Sequence, residues 1–393
     1  MAASLREFSG SFWAVAAATF CGFLGIGTVL PSLAPHIRQD LGGSDETVGF
    51  AIGIFSFVAL GSRFFSGPMA DTQGRKKTFQ IGLFCCALAG AVYLAPLGIN
   101  GVYLARLLQG FAEAFLYTGA ATWAIEISGV HRSSQALGYI SSGIWGGMSA
   151  GPVLGSWVGS FSHAALTQMV LALAGFLLIA RVPERYKPHP HARKKIWMPR
   201  SILVPGLSVG FVNVHYPVVT GFLILHLMQH GNSGRVAFSA YAVVILFSRF
   251  FLGGLPDRIH PRITYYIGLV LMGVGLLALA PGPSPLIAIS AAAILGLGFS
   301  FPWSSVVSTV LRRTPDSEHG SAIGVLGAFY DLFVGASSFA AGAVSDHFGY
   351  GWAFVMAAAA IGVSGVVGLY LFPAQHGKGT DASRATAGAS AHQ

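Results

Sequence analysis

Apolar runs of about 20 residues recur along the whole chain, separated by short polar loops. A membrane-crossing helix needs about 20 mostly apolar residues. The pattern predicts twelve spans, near residues 11–36, 47–67, 77–97, 100–124, 135–159, 163–182, 202–228, 235–255, 263–281, 285–311, 320–344 and 350–372. In lipid every backbone polar group must be satisfied within the structure, so the spans are predicted to be helices and the chain an all-α membrane protein. Glycine is frequent, 52 residues in all. In a bilayer such small residues let helices approach closely.

Composition agrees. Of 393 residues, 53% are hydrophobic and 9% are charged, with a mean hydropathy of +0.65. Soluble domains carry about 25% charged residues. The net charge of +9 does not indicate nucleic acid, because the charges lie in short loops between apolar runs. Cys21, Cys85 and Cys86 fall inside apolar runs with no metal-ligand spacing. They predict helix packing, with no disulfide, metal or cofactor. The opening "MAASLREFSG" runs directly into the first span, which reads as a retained span and not a cleaved signal.

Lys and Arg mark the cytoplasmic face. Of 23 such residues, Arg63, Arg106 and Arg249 lie within predicted spans, and only Arg38 and Arg235 fall on the less basic side. Both termini are thus expected in the cytoplasm. The stretch "RVPERYKPHPHARKKIWMPR" (181–200) interrupts the spans midway. It reads as a basic linker, 184–199, between bundles over 1–183 and 200–373, close to anionic headgroups. The Gly/Ala/Ser-rich residues 374–393 are expected to form a disordered cytoplasmic tail.

The chain contains an internal repeat. A shift of 186 residues (248 − 62) superposes "SRFFSGPMADTQGRKKTFQIGL" (62–83) on "SRFFLGGLPDRIHPRITYYIGL" (248–269) without a gap, with ten of 22 positions identical. The same shift pairs Pro31 with Pro217 and Gly138 with Gly324. Two six-helix bundles in the same orientation follow, an arrangement described for one large class of secondary transporters.

Three motifs carry a family resemblance. Gly67 to Lys77 resembles the loop 2–3 signature of the major facilitator superfamily, with Met69 in place of a Leu. "RLLQG" (Arg106–Gly110) resembles its span 4 element. "GMSAGPVLG" (Gly147–Gly155) resembles the span 5 element of the drug:proton antiporter branch. Two further stretches, "ALGYISSGIWGGMSAGPVLG" and "FYDLFVGASSFAAGAVSDHFG", are similar to bacterial sugar- or drug-efflux proteins. The resemblance implies a monomeric alternating-access transporter in a bacterial inner membrane. It would exchange a small molecule such as a drug, sugar or metabolite for protons. An importer or uniporter of the same fold, and a non-transporting receptor, are the competing expectations. No HExxH or Ser/His/Asp constellation and no GxxxxGK[ST] loop occurs, which argues against an enzyme or ATP-driven pump.

Specific residues follow from this frame. Gly67 and Gly74 permit a tight turn around Asp71, with Arg75 and Lys76 beside it. An Asp there can cap helix amides or pair with Arg. The resemblance implies a cytoplasmic latch in which Asp71 meets the start of span 11. Asp257 is its repeat counterpart, in a copy that lacks the second Gly and the Arg. Ionisable groups inside spans are expensive and should line a cavity, pair or titrate. Arg106, Glu113 and Asp331 are the proton-coupling candidates, with Gln109 placed to bridge Arg106 to Glu113. Arg63 and Arg249 are expected to play structural parts near span ends, snorkelling to the interface. Gly147, Gly151 and Gly155 form a smooth face, and Pro152 bends the helix; the resemblance implies a hinge or leak seal that favours export. Spans 1, 4, 7 and 10 line the cavity in the superfamily. Asn213, His215, Tyr216, Tyr117 and Trp303 are therefore candidates for it, with Trp145, the repeat partner of Asp331, added on span 5.

Overall fold

The structure, a computed structural model, describes residues 8–128, 133–184, 202–232, 234–252, 259–314 and 319–372. The chain folds into α1 (Gly10–Pro35), α2 (Asp45–Thr72), α3 (Arg75–Leu94), α4 (Gly98–Ser128), α5 (Ser133–Val158) and α6 (Phe161–Ala180), followed by a second set. These are α7 (Leu203–Asn213), α8 (His215–Gln229), α9 (Gly234–Leu252), α10 (Pro261–Leu279), α11 (Pro285–Leu311), α12 (His319–Phe348) and α13 (Tyr350–Leu371). Together α7 and α8 make the seventh span, so the helices supply the twelve expected crossings. Nine of the described helical stretches are long and apolar enough to cross a membrane by length and composition. The expected linker and tail, and Asp257, lie outside the described residues, apart from Glu184 at the linker's edge.

Two boundaries differ from the hydropathy pattern, and proline explains one of them. The seventh span breaks at Val214. Pro217 has no N–H to offer the carbonyl of Asn213 four residues earlier. Local side chains take over at the break: Asn213 Nδ2 donates to the Val209 carbonyl (2.7 Å) and His215 Nδ1 to that of Val212 (2.7 Å). By contrast, α2 continues through Pro68 to Thr72, where the apolar pattern ends the span at 67. Thr72 Oγ1 donates to the Pro68 carbonyl (2.7 Å) in that last turn. Gly67 is thus helical, and the connection to α3 shrinks to Gln73 and Gly74. Gly74 has φ +117°, a backbone state that excludes most side chains.

The repeat is visible in the packing. Within the first half, α1 packs on α5 and α6, α2 on α4, and α3 on α4 and α6. In the second, α7 packs on α12 and α13, α9 on α11, and α10 on α11 and α13. Individual contacts repeat in register too. Gly82 lies against the Ala112 carbonyl and the Leu116 amide, and Gly268 lies against Gly298 and Pro302. Each of these positions is 186 residues from its mate. The fold is therefore two pseudo-symmetric six-helix bundles.

The bundles meet along α2–α12, α5–α9 and α1–α8. At the face where α2 begins, the α2–α12 contact is backbone on backbone. A Cβ at Gly49 would collide with the Ser338 carbonyl, and one at Gly342 would lie 2.9 Å from that of Asp45. Polar ties reinforce this end. Arg38 pairs with Asp45 (3.0 Å), Tyr350 donates to Asp45 (2.9 Å), and Arg235 donates to the Gly159 carbonyl. Toward the loop 2–3 face, Gly61 and Gly67 on α2, Gly138 on α5, and Gly324 and Gly327 on α12 have open space where a Cβ would be. The molecule is sealed at one face and open at the other.

Gly49→Val should disturb this sealed contact and lower stability by about 1–3 kcal/mol. Gly61→Ala should change it little. Comparing apparent unfolding temperatures of the purified variants checks both; equal shifts would refute the assignment of the seal.

Candidate functional site: a cavity between the bundles

A cavity of about 630 Å³ lies between the bundles and extends to the open face, where Ser142, Leu311 and Arg312 border it. This size falls in the usual range for small-molecule sites. Most of its wall is apolar or aromatic. Three ionisable groups from three helices converge on that wall. Arg63 (α2) donates from Nε to Asp331 Oδ2 (α12) at 2.9 Å and from Nη2 to both Glu113 carboxylate oxygens (α4) at 3.2 Å. The Arg63 guanidinium stands 5.0 Å over the Tyr117 ring. The pair with Glu113 lies within one bundle, and the pair with Asp331 crosses between them. One cation here faces two carboxyl groups, so the group is electrically balanced when one of them holds a proton.

This corrects two expectations. Arg63 does not snorkel at a span end; it is the centre of the ionic group, and Asp331 draws it across the cavity. Nor does Gln109 bridge Arg106 to Glu113. Gln109 Oε1 accepts from Arg106 Nη1 (2.8 Å) and Tyr93 (3.0 Å), and its Nε2 donates to Gln168 (2.6 Å). Glu113 turns the other way, to Arg63. The physical reason is charge: a carboxylate gains more from a full cation than from an amide that Arg106 already holds.

Arg106 sits apart from this group. Its Nε donates to the Ala51 carbonyl (2.8 Å), its guanidinium lies 4.4 Å over the Phe55 ring, and it lines the cavity while 3% exposed. Among the described residues it makes no ion pair.

The aromatic candidates divide. Trp145 (α5), Trp303 (α11) and Tyr216 (α8) all line the cavity, as does Tyr330 (α12), which the sequence reading missed. Trp145 and Trp303 have ring centroids 6.0 Å apart, and Tyr330 is 6.2 Å from both Trp145 and Tyr216. Tyr330 adjoins Asp331 in sequence, which was the available signal. Asn213 and His215 are buried away from the cavity. His215 Nδ1 is spent on Val212, and its Nε2 accepts from Tyr241 (3.1 Å), a structural role at the helix break.

Arg75 and Lys76 make contacts within their own bundle. Arg75 donates to the Thr122 carbonyl (2.8 Å) and lies 3.6 Å from Glu126. Lys76 Nζ caps the end of α6 through the carbonyls of Ala180 (2.8 Å) and Val182 (2.7 Å), while its amide donates to Glu184 (3.0 Å). Nothing in the sequence pattern marks Glu126 and Glu184 as partners. Asp71 is half-buried in the last turn of α2; the stretch just before α12 lies outside the described residues. Gly147, Gly151 and Gly155 face α1, where Cβ atoms would meet Leu24, Gly27 and Thr28 backbone, and Pro152 touches Gly27.

Two repeat-related helical bundles enclosing a one-sided cavity define a polytopic membrane carrier. The chain matches the family model described as Major Facilitator Superfamily over residues 15–234 and 207–391, and it belongs to that family. It is 29% identical over 377 residues to an uncharacterized MFS-type transporter of Salmonella typhimurium, covering 92% of this chain and 96% of that protein. Its fold resembles the crystal structure of a point mutant of the nucleoside transporter NupG, with a TM-score of 0.75 at 13% identity, covering 92% of this chain and all of the other. It also resembles a bacterial homolog of the human lysosomal transporter Spinster, with a TM-score of 0.76 at 15% identity, covering 92% and 96%. The family and fold make the chain a multi-pass membrane transporter.

Arg63→Gln should strand two carboxylates in the wall and destabilise the protein by about 3–5 kcal/mol. Adding Asp331→Asn should recover part of that loss. Unfolding temperatures of the single and double variants check this; an additive double variant would show that Arg63 and Asp331 do not interact.

Proposed function

We propose that the protein is a proton-coupled exporter of a small molecule, working by alternating access in the bacterial inner membrane with both termini in the cytoplasm. The observation that carries this reading is the ionic group of Arg63, Glu113 and Asp331. Its two carboxyl groups share one cation and line a cavity that opens to one face only. A proton on either carboxylate balances the group, and protonation of Asp331 weakens a tie between the bundles. Occupancy by a proton and the relative position of the bundles are then linked, as exchange requires.

Further features support the frame. The cavity opens at the face bearing the basic loop 2–3, which Lys and Arg mark as cytoplasmic. The sealed opposite face makes this the conformation that loads an exported substrate from inside. Gly147, Gly151 and Gly155 form a dry contact with α1, and we assign the seal and hinge that favour export to this contact and Pro152. We assign the cytoplasmic gate to Gly67, Asp71, Gly74, Arg75 and Lys76, with Asp257 as its counterpart, and the connection between the bundles to the basic linker 184–199. A second reading, uptake together with protons, has one observation in its favour. Arg106, a cation with no ion pair among the described residues, and two carboxyl groups that share one cation together suit an anion and a proton bound at once.

The test is transport in proteoliposomes with an imposed pH gradient, using the labelled ligand that a thermal-shift screen selects. Substrate should move against the direction of proton flow, and Glu113→Gln and Asp331→Asn should each remove the response to the gradient. Wild-type proton dependence in both variants would end the proton-coupling assignment. Movement of substrate with the protons would replace export by uptake.

A further inference from the structure

Arg106 is a buried full charge without a counter-charge among the described residues. It is 3% exposed, and the groups it reaches, the Ala51 carbonyl, Gln109 Oε1 and the Tyr93 hydroxyl, are neutral. No described carboxylate lies within 4 Å of it. The nearest acid along its own helix is Glu113, seven residues or about 10 Å of helix rise away, and Arg63 occupies that carboxylate. Buried charges in proteins are paired or bind ligands.

Its geometry is that of a held binding group. The chain Cys86 carbonyl, Gln168, Gln109 and Tyr93 fixes the amide that accepts from Nη1. The Ala51 carbonyl fixes Nε, and the Phe55 ring lies along one face of the guanidinium. Neither protein acceptor takes Nη2, and the side chain lines the cavity. The orientation is set before anything binds, which lowers the ordering cost of capturing a ligand.

The rest of the cavity limits what that ligand is. Trp145, Trp303, Tyr330 and Tyr216 form an aromatic wall contributed by both bundles. Such rings take a flat or apolar body. We infer that the transported molecule is an amphipathic organic anion, whose anionic group binds Arg106 while its aromatic or apolar body lies against Trp145 and Trp303. This rests on reading the cavity as the transport path and adds the chemical class of its cargo. Charge-assisted contacts to a planar guanidinium are directional, so a carboxylate is preferred over an amide of the same shape.

The test is equilibrium binding of labelled 1-naphthoate to the purified full-length protein in nanodiscs at pH 7.5, competed by 1-naphthamide and 1-naphthylmethylammonium. Naphthoate should bind at least about tenfold more tightly than either competitor, the ratio expected from one charge-assisted contact. Arg106→Gln should abolish that preference, and Arg106→Lys should retain most of it, which excludes simple misfolding as the cause. Equal binding of the three probes, or an unchanged preference in Arg106→Gln, overturns the inference. Counterflow of naphthoate in proteoliposomes separates the two readings. Anion-selective binding that needs Arg106 but gives no counterflow keeps the anion site and overturns its assignment to the cargo. Counterflow of the amide or ammonium probe with no preference for naphthoate overturns the inference and leaves transport standing.

Discussion

A guanidinium between two carboxylates, set in an apolar wall, governs how the halves of this protein meet. Stranding such a charge without its partners costs several kcal/mol. Arg63 therefore ties α2 to α4 within its own bundle and to α12 in the other. Any motion that separates α2 from α12 at this depth must first find Asp331 another partner. A proton is the smallest one available.

The scaffold is nearly symmetric, but its chemistry is not. The shift of 186 residues carries Glu113 to Phe299, Tyr117 to Trp303, and Trp145 to Asp331 (145 + 186 = 331). Arg106 maps onto Ala292. At Glu113, Arg106 and Asp331, then, one copy holds a charge where the other holds an aromatic or small residue. The packing glycines Gly82 and Gly268 keep both their identity and their neighbours. The repeat preserves the glycines that let helices approach, and Arg63 as Arg249, while it varies the other charged positions that face the cavity. The outcome is a cavity that carries both an ionic group and an aromatic cluster.

Much of the fold was legible in the sequence, because lipid leaves the backbone few options and the apolar runs display the answer. The break at Val214 was also within reach, since Pro217 sits in the span. Charged pairing was harder to read. Arg63 lies close to a loop in sequence, and snorkelling was a reasonable expectation; what overrides it is Asp331, 268 residues away. Glu113 and Arg106 share a helix, yet the groups that hold Glu113 and the Arg106 Nε come from another one. His215 and Asn213 looked like cavity residues because they are polar and lie on span 7, whereas they bond to carbonyls of their own chain beside the helix break. Sequence reveals which polar groups need a partner inside a membrane and does not reveal the partner.

The glycine contact between α2 and α12 has an electrical consequence. From Asp45 to Phe57, about 18 Å of helix rise, the bundles touch through backbone and aromatic side chains: Gly49 and Gly53 against α12, and Phe57 against Gly335 and Phe339. A cavity open to water on one side of this contact concentrates the membrane voltage across the contact itself. A charge carried past it experiences nearly the full potential, about 2.3 kcal/mol per 100 mV. The thin, dry septum thus acts as the dielectric of a small capacitor, and any cycle that moves net charge through it responds to voltage as directly as to concentration.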